Sequence, residues 1–399
     1  MHVAGKLLPL FAAVILFIQS TYALKCKNEK NEDVDWYFVY KIPELIDKGE
    51  PFSTGYAYVY MTSNDFENGW QLSPVLVDDQ ESIFAHTLKP LYSNKNNDQF
   101  SHVFYSDQPP NGEPTESYGH TKGVLAVDQS TGFWLIHSVP KFVSPVSTGQ
   151  YGYPSSGRRN GQTALCFSFD TKTETEKIVK QFLHNQPKVY DHSVSSVILS
   201  LVPSFKDLLN ENWIRNEKSE ALIYSTSGHQ FISFAKGAKV VEDLYDSFVA
   251  PSLESNLFVE TWRRGAGTPL KSECDLRYHV KNVDYINING ARWHYLEDHS
   301  KWAITETSDE KINKAYTCVG DINRMKSQFK RGGGTVCFND LNIWKIFKAS
   351  VEGIEPCPKN TSFEYEKQWT NFEHLSDMFF EALLFLGEII IQIISEVLM

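Results

Sequence analysis

Two short segments of this 399-residue chain carry the same pair of residue types. One residue separates His120 from Lys122, and one residue separates His299 from Lys301. On an extended strand this spacing sets both side chains of a pair on the same face. An imidazole can attack phosphorus or donate a proton, and a lysine ammonium is a compact charge for a phosphate oxygen. Two such pairs at one site would cleave a phosphodiester without a metal ion or cofactor.

The two pairs lie about 180 residues apart in the sequence. A single pair of this kind is more often a solvated strand edge than a reactive group. Two copies instead indicate a duplicated unit whose halves meet at one site. No other repeat can be aligned by eye, so the two copies have diverged far from each other.

The residues around the first pair predict a β-hairpin. Residues 123–128 form an apolar run of strand-forming residues, and a turn at 130–132 leads into a second such run at 133–140. Helical patterns follow at 171–186 and around 241–249. Further strands are predicted at 34–41, 221–225, 231–234, 284–287 and 301–305, and loops at 111–117 and 144–160.

The first 23 residues have the pattern of a secretory signal peptide. Lys6 precedes an apolar run at 7–18, and the mature chain would begin near Leu24. An even number of cysteines in a secreted chain favours disulfides over metal ligands, although these residues alone do not select the pairing. The six cysteines are Cys26, Cys166, Cys274, Cys318, Cys337 and Cys357, and an N-glycosylation sequon begins at Asn360.

Charge and composition limit the possible functions. The net charge is −11 at pH 7, and removal of Lys6 with the signal peptide makes it −12. At pH near 5 most histidines are protonated, which brings the net charge of the mature chain to about −1. A protein with this charge repels DNA at neutral pH and accepts it in an acidic compartment. With 42% hydrophobic residues, the chain can bury a core for two domains or one large fused domain.

Longer motifs are similar to those of the acid deoxyribonuclease (type II) family. The similarity runs from about Leu24 to Cys357 and includes the early segment 34–41 and residues 107–110. It is therefore spread over most of the chain. The motifs that carry it are Gly-His-Thr-Lys-Gly-Val-Leu at 119–125, Gly-Phe-Trp-Leu-Ile-His-Ser-Val-Pro at 132–140, Glu-Asp-His-Ser-Lys-Trp at 297–302, Thr-Cys-Val-Gly-Asp-Ile-Asn-Arg at 317–324 and Arg-Gly-Gly-Gly-Thr at 331–335.

The resemblance implies an α/β fold of the phospholipase D type, a pseudo-dimer in which two α/β/α sandwich halves share one active site. It implies a lysosomal or secreted, metal-independent endonuclease that cuts double-stranded DNA and leaves 3′-phosphates. The expected parts are a signal peptide at 1–23, a first half at 24–215, a second half at 216–360 and a C-terminal extension at 361–399. The implied disulfides join Cys26 to Cys166, Cys274 to Cys357 and Cys318 to Cys337.

By the same resemblance His120, Lys122, His299 and Lys301 are the catalytic residues. One histidine attacks phosphorus and forms a phosphohistidine, while the other protonates the leaving 5′-oxygen. The two lysines hold the charge that develops on the non-bridging oxygens. The family analogy makes His120 the nucleophile and His299 the acid, but the symmetry of the two pairs allows the reverse.

Other residues of the motifs are candidates for supporting the site or binding substrate. They are His137, Asn323 and Arg324, although a core histidine and a simple turn explain them as well. The glycine run at 331–334 is typical of a phosphate-binding loop and equally of a tight turn. Residues 262–264, Trp-Arg-Arg, could face DNA or form ordinary surface.

The chain departs from the wider superfamily where an aspartate normally follows each pair. Val127 and Glu306 occupy those positions, and Asp128 comes one residue late. The carboxylate that orients each histidine must therefore come from elsewhere or be absent. Asp298 is a poor candidate, because on a regular strand it projects to the face opposite its neighbour His299.

Residues 378–399 predict an apolar helix with one narrow polar stripe. Its three glutamates disfavour a membrane span, so docking on the enzyme or self-association ranks before contact with a membrane surface. The working hypothesis is an enzyme with DNA as substrate. The main alternative is a catalytically idle, secreted DNA-binding protein that acts in host interaction. A phospholipase D acting on lipid is disfavoured, because the nuclease motifs extend well beyond the two pairs.

Overall fold

A computed structural model describes residues 23–93, 100–265, 267–306 and 314–358. Most of the predicted signal peptide, the sequon at Asn360 and the segment 378–399 lie outside these residues. No helix in the described ranges is long and apolar enough to cross a membrane. The α-helices of these ranges are α1 (Ile83–Ser93), α2 (Thr171–Asn185), α3 (Ser196–Leu201), α4 (Ser204–Leu209), α5 (Ala250–Leu253) and α6 (Leu341–Ser350).

The strands form a two-stranded ribbon and two large sheets. The ribbon pairs β1 (Cys26–Lys27) with β2 (Asp33–Val34). The first sheet contains β3 (Trp36–Lys41), β4 (Tyr58–Thr62), β5 (Gln71–Leu72), β6 (Ser101–Ser106), β7 (Lys122–Val127), β8 (Thr131–His137), β9 (Gln162–Asp170) and β10 (Val189–Ser193). The second contains β11 (Lys218–Tyr224), β12 (Gln230–Lys236), β13 (Leu257–Glu260), β14 (Val280–Ile288), β15 (Ala291–His294), β16 (Trp302–Thr305), β17 (Tyr316–Gly320), β18 (Gly333–Asn339) and β19 (Val351–Ile354).

The two large sheets repeat one topology. The strand order β6-β7-β8-β9-β3 of the first corresponds to β13-β16-β17-β18-β12 of the second. The next strands differ, because β4 follows β3 in the chain whereas β11 precedes β12. A helix follows the last strand of each four-strand meander, α2 after β9 and α6 after β18. Strands β7 and β16, which carry the two His-x-Lys pairs at their starts, are therefore equivalent.

One apolar core cluster contains residues of both sheets. Phe231 of β12 stacks on Phe167 of β9 with ring centroids 4.3 Å apart, and on Phe338 of β18 at 4.8 Å. The side chains of Phe182 in α2 and Phe347 in α6 belong to the same core. Because the two sheets share this core, their relative position is fixed by packing as well as by chain connection.

Local hydrogen bonds explain the hairpin and the helix that the sequence predicts. Asp128 closes the turn between β7 and β8, because its Oδ1 accepts from the N–H groups of Ser130 and Thr131 at 2.6 and 2.8 Å. Asp170 caps α2 by accepting from two backbone N–H groups. The helix ends at Gln186, which adopts a left-handed conformation with φ of 55°.

The helix predicted around 241–249 begins later and ends later than expected. The side chain of Asp243 accepts from the N–H groups of Tyr245 and Asp246, both at 2.9 Å, and so caps a helix that starts beside it. A π-helical turn at Tyr245–Val249 leads directly into α5. The sequence pattern missed the capping role of Asp243.

The described cysteines are all bonded. Disulfides join Cys26 to Cys166 and Cys318 to Cys337, as the resemblance implied. Cys274 and Cys357 are likewise disulfide-bonded. The Cys26–Cys166 bridge joins the ribbon strand β1 to β9, and the Cys318–Cys337 bridge joins the neighbouring strands β17 and β18.

Candidate active site

The first His-x-Lys pair lies at the start of β7. The Lys122 ammonium donates to Oδ1 of Asp107 at 2.5 Å. The backbone N–H of His120 donates to the carbonyl of Gly332 at 2.9 Å. Its ring Nδ1 lies 2.6 Å from the carbonyl oxygen of Asp321. Because a carbonyl only accepts, Nδ1 carries a proton and Nε2 is left for chemistry.

Asp107 is the carboxylate beside the first pair. Its Oδ2 accepts from Nη2 of Arg331 at 3.1 Å and lies 3.9 Å from Nε2 of His120. Burial alone would raise the pKa of Asp107, but the charges of Lys122, His120 and Arg331 prevail and hold it well below its usual range. Arg331 also donates to main-chain carbonyls within residues 115–119, so it anchors the loop that leads to His120.

The second pair lies at the start of β16. The backbone N–H of His299 donates to the carbonyl of Gly161 at 2.9 Å. Its Nε2 lies 3.4 Å from the amide nitrogen of Asn160. The ring of Trp262 packs against the imidazole edge to face, with centroids 3.9 Å apart. The Lys301 ammonium donates to the carbonyl of His299.

A glycine from the opposite half of the chain holds each histidine. Gly332, just before β18, accepts from His120, and Gly161, just before β9, accepts from His299. A Cβ at position 161 would lie 2.7 Å from Oδ1 of Asp298, so only glycine allows this close approach. The main chain of each histidine is therefore fixed by a hydrogen bond to the half of the chain that does not contain it.

Burial and the lysines of both halves lower the pKa values of the histidines. Burial, Lys301 and then Lys122 lower the pKa of His299 to about 2. Burial and Lys122 lower the pKa of His120 well below its usual range, Lys301 adds to this, and Asp107 opposes it. Each lysine therefore acts on the histidine of the other half as well as on that of its own half.

Two further groups at the site have pKa values near neutrality. Burial and the charge of Lys122 lower the pKa of the Lys301 ammonium to about 7. Burial raises the pKa of the Asp321 carboxyl to about 8 although Lys122 opposes the shift. Below pH 7 the site therefore contains a charged Lys301 and a neutral Asp321, which makes it more positive than at higher pH.

Asp298 has its own partners in the interior. Its Oδ2 accepts from the hydroxyl of Tyr40 at 2.5 Å and from Nε1 of Trp293 at 2.6 Å, and Oδ1 accepts from the N–H of Ser300 at 2.8 Å. These bonds fix the backbone next to His299 while the carboxylate stays away from the imidazole. Asp298 thus shapes the site without entering it.

His137 lies beside the first pair. Strands β7 and β8 are antiparallel, and Gly123 lies opposite Ile136. The same register places Lys122, one residue earlier, opposite His137, one residue later. The His137 ring is buried, its Nδ1 accepts from the N–H of Val139 at 3.2 Å, and its Nε2 has no hydrogen-bond partner in the protein. Burial and Lys122 lower its pKa to about 3, so the ring is neutral.

Arg324 is engaged with the protein's own groups. Its guanidinium is 1% exposed and donates to the carbonyl of Lys271 at 3.1 Å and to Oδ1 of Asn282 at 2.6 Å. Asn323 is buried, and its Oδ1 has no hydrogen-bond partner in the protein. The predicted patch 262–264 is divided, because Arg263 is buried against Asp284 whereas Arg264 is exposed over the Trp262 ring.

The fold and the paired site define the class of the protein. Two related α/β halves, each with a His-x-Lys pair at the start of the equivalent strand, have the phospholipase D-like architecture expected from the motifs. The family model for deoxyribonuclease II matches residues 25–357. The chain belongs to the deoxyribonuclease II family, which confirms the resemblance.

Individual relatives cover nearly the whole chain. Plancitoxin-1 from Acanthaster planci is 39% identical over 88% of this chain and 97% of its own length. Deoxyribonuclease-2-alpha from Rattus norvegicus is 36% identical over 87% of this chain and 98% of its own. Deoxyribonuclease-2 from Caenorhabditis elegans is 33% identical over 84% and 96%.

Sequence reasoning missed several residues of the site. In the sequence Asp107 belongs to a family motif at 107–110, and its place directly after the buried strand β6 is the signal that marks it as a site residue. Asn160 ends a predicted loop and Gly161 follows it, and no local pattern connects either residue to His299, which follows about 140 residues later. The glycine run after Arg331 predicts a phosphate-binding loop or a tight turn, whereas the Arg331 side chain donates to Asp107.

Proposed function

We propose that the protein is an acid endonuclease that hydrolyses double-stranded DNA in lysosomes or after secretion. It acts without a metal ion, through a phosphohistidine intermediate, and leaves 3′-phosphate ends. The observation that carries the proposal is that the main chain of each histidine is held by a glycine of the opposite half, His120 by Gly332 and His299 by Gly161. Family membership and relatives named deoxyribonuclease-2 support the choice of DNA as substrate.

The charges around the two histidines suit a phosphodiester. Lys122, Lys301 and Arg331 are cations, and Asp107 is an ionised carboxylate, so the site has an excess of positive charge for the phosphate. Such fixed charge stabilises a transition state in which negative charge develops on the phosphate oxygens. Because Lys301 loses its proton near pH 7, this stabilisation is present below that pH and decreases above it.

The alternative of an inactive DNA-binding protein is less well supported. Binding needs positive charge but has no use for two intact, mutually supported histidines. The same two pairs would suit a lipid phosphodiester, but the family match over residues 25–357 favours the nuclease. Signal-peptide cleavage after residue 23, glycosylation at Asn360, the division into halves at about residue 215 and association through residues 378–399 stay predictions.

Plasmid digestion from pH 4 to pH 8 in excess EDTA tests the proposal. The wild-type protein should nick and linearise plasmid most rapidly at acid pH, and the ends should carry 3′-phosphate. His120→Ala and His299→Ala should each lose several orders of magnitude in turnover, and the double variant should be scarcely slower, because the histidines act as one unit. His192→Ala is the matched control, since His192 lies exposed on the edge strand β10.

Two results would contradict the proposal. Loss of cleavage in EDTA with recovery in magnesium would show that the histidine and lysine pairs are not sufficient. Near-normal turnover at pH 5 by either single alanine variant would show that the two histidines do not form one site.

A further inference from the structure

The two halves of the site differ at one pair of equivalent positions. In the first half, Ser106 of β6 pairs with Lys122, and Asp107 is the next residue. In the second half, strands β13 and β16 are the equivalent pair. Asp107 therefore has a structural counterpart in the residue that follows the partner of Lys301.

That counterpart is Trp262. Glu260 of β13 pairs with Trp302, so Thr261 comes opposite Lys301 and Trp262 follows it. The duplicated fold thus places a carboxylate beside the first histidine and an indole against the second. The two His-x-Lys motifs are alike in sequence, but the residues beside their histidines differ.

The surroundings of His120 accommodate a protonated ring. Nδ1 faces the Asp321 carbonyl at 2.6 Å, and Nε2 faces Oδ2 of Asp107 at 3.9 Å, so both nitrogens face oxygen acceptors. In the free site burial, Lys122, Arg331 and Lys301 hold the pKa of His120 well below its usual range, and Asp107 is the group that raises it. The negative charge of a bound phosphate acts on this pKa in the same direction as Asp107. An imidazolium at this position has an acceptor for one N–H and an ionised carboxylate near the other.

The surroundings of His299 favour a neutral ring. The indole of Trp262 covers one side, and Nε2 faces the amide nitrogen of Asn160 at 3.4 Å, which is a donor. The charges that act most strongly on this ring are all positive and belong to Lys301, Lys122, Lys41 and Arg264. The neighbouring carboxylate of Asp298 is turned to Tyr40, Trp293 and Ser300.

We propose that His299 is the nucleophile and His120 the acid, and that Asp107 and Trp262 are the positioning residues that separate these roles. The assignment rests on the proposed function and reverses the order that family analogy gives. It follows from a general requirement. A nucleophilic ring needs an unprotonated nitrogen, whereas an acid needs a proton that a nearby carboxylate retains until the leaving oxygen arrives.

The reaction balances with the residues present. Nε2 of His299 forms a bond to phosphorus while the bond from phosphorus to the 5′-oxygen breaks, and the proton of His120 passes to that oxygen. Water then attacks phosphorus and gives a proton to His120 as the bond to His299 breaks. The products are a 3′-phosphate, a 5′-hydroxyl and both histidines in their starting states.

An oligonucleotide with sulfur in place of one bridging 5′-oxygen tests the assignment. A thiolate leaves without protonation, so the acid is dispensable for this linkage but the nucleophile is not. On ordinary DNA, His120→Ala and His299→Ala should both be severely impaired. On the sulfur-containing DNA, His120→Ala should recover by about 10²–10⁴-fold, the usual contribution of a general acid. His299→Ala should not recover.

The other patterns overturn the assignment. Recovery of His299→Ala alone would mean that His120 is the nucleophile and His299 the acid, as the family analogy has it. Recovery of both variants would mean that neither histidine is the nucleophile, and recovery of neither would remove the acid role from His120. Failure of the proposed function is recognised separately, because the wild-type enzyme would then not cut ordinary DNA in EDTA.

Asp107→Asn tests the positioning role with a change of nearly equal size. Loss of the carboxylate weakens the hold on the His120 proton, so the alkaline limb of kcat on ordinary DNA should move to lower pH. The profile on the sulfur-containing DNA should not move, and Asp107→Glu should partly restore the ordinary profile. A uniform loss of rate at every pH on both substrates would show that Asp107 has only a structural role.

Discussion

Asp321 makes the stability of the fold depend on pH. Burial raises its pKa to about 8, whereas an aspartate in an unfolded chain titrates near pH 3.9. Between these values the folded protein holds a proton that the unfolded chain has released. This stabilisation is fully present below pH 3.9 and is lost as pH rises towards the folded pKa, by about 1.4 kcal/mol per pH unit. From pH 4 to pH 7 the contribution of Asp321 to the free energy of unfolding should fall by about 4 kcal/mol.

The Asp321→Asn variant isolates this contribution. Asparagine has the shape of the protonated acid and keeps an oxygen for the Lys122 N–H, which lies 3.3 Å from Oδ1 in the wild type. Urea unfolding should show equal stability at pH 4 and an advantage of about 4 kcal/mol for the variant at pH 7. Asp170→Asn is the control, because it makes the same change at an exposed helix cap. A variant advantage that did not change with pH would refute the reasoning.

Three further outcomes are expected. Replacing Cys318 and Cys337 with serine opens a loop of 19 residues and should lower the free energy of unfolding in urea by about 3 kcal/mol; no loss would mean that packing alone fixes β17 and β18. Tyr40→Phe removes a buried donor to a carboxylate and should cost about 1–3 kcal/mol in the same assay, which an unchanged midpoint would contradict. The DNA affinity of inactive His120→Ala, measured by fluorescence anisotropy, should rise from pH 8 to pH 6 as Lys301 gains its proton; a rise that persists with Lys301→Met would instead implicate the whole-protein charge.

Local patterns in the sequence predict much of the fold. The apolar runs around residue 130 predict the β7–β8 hairpin, because Asp128 and Ser130 supply the turn that joins them. The helix at 171–186 is predicted by its period and its start, and the structure places it at Thr171–Asn185. The two His-x-Lys pairs predict a duplicated unit, and the strand order of the two large sheets repeats accordingly.

The contacts that complete the site depend on tertiary packing and are invisible in local patterns. Asn160 ends a predicted loop and Gly161 follows it, and only the approach of the second half brings them to His299. Trp262 follows a buried strand like many aromatic residues, and its contact with the imidazole requires the β13–β16 register. The asymmetry between Asp107 and Trp262 could not be predicted, because recognising equivalent positions requires the aligned sheets.

The stereochemistry at phosphorus tests the central claim most directly. The substrate is an oligonucleotide with one isotopically labelled phosphorothioate linkage of known configuration, cleaved at pH 5 in EDTA and labelled water. Attack by histidine followed by attack by water inverts phosphorus twice, so the account predicts net retention in the 3′-thiophosphate product. Net inversion would mean that water attacks the diester directly, and the shared histidine mechanism would be wrong.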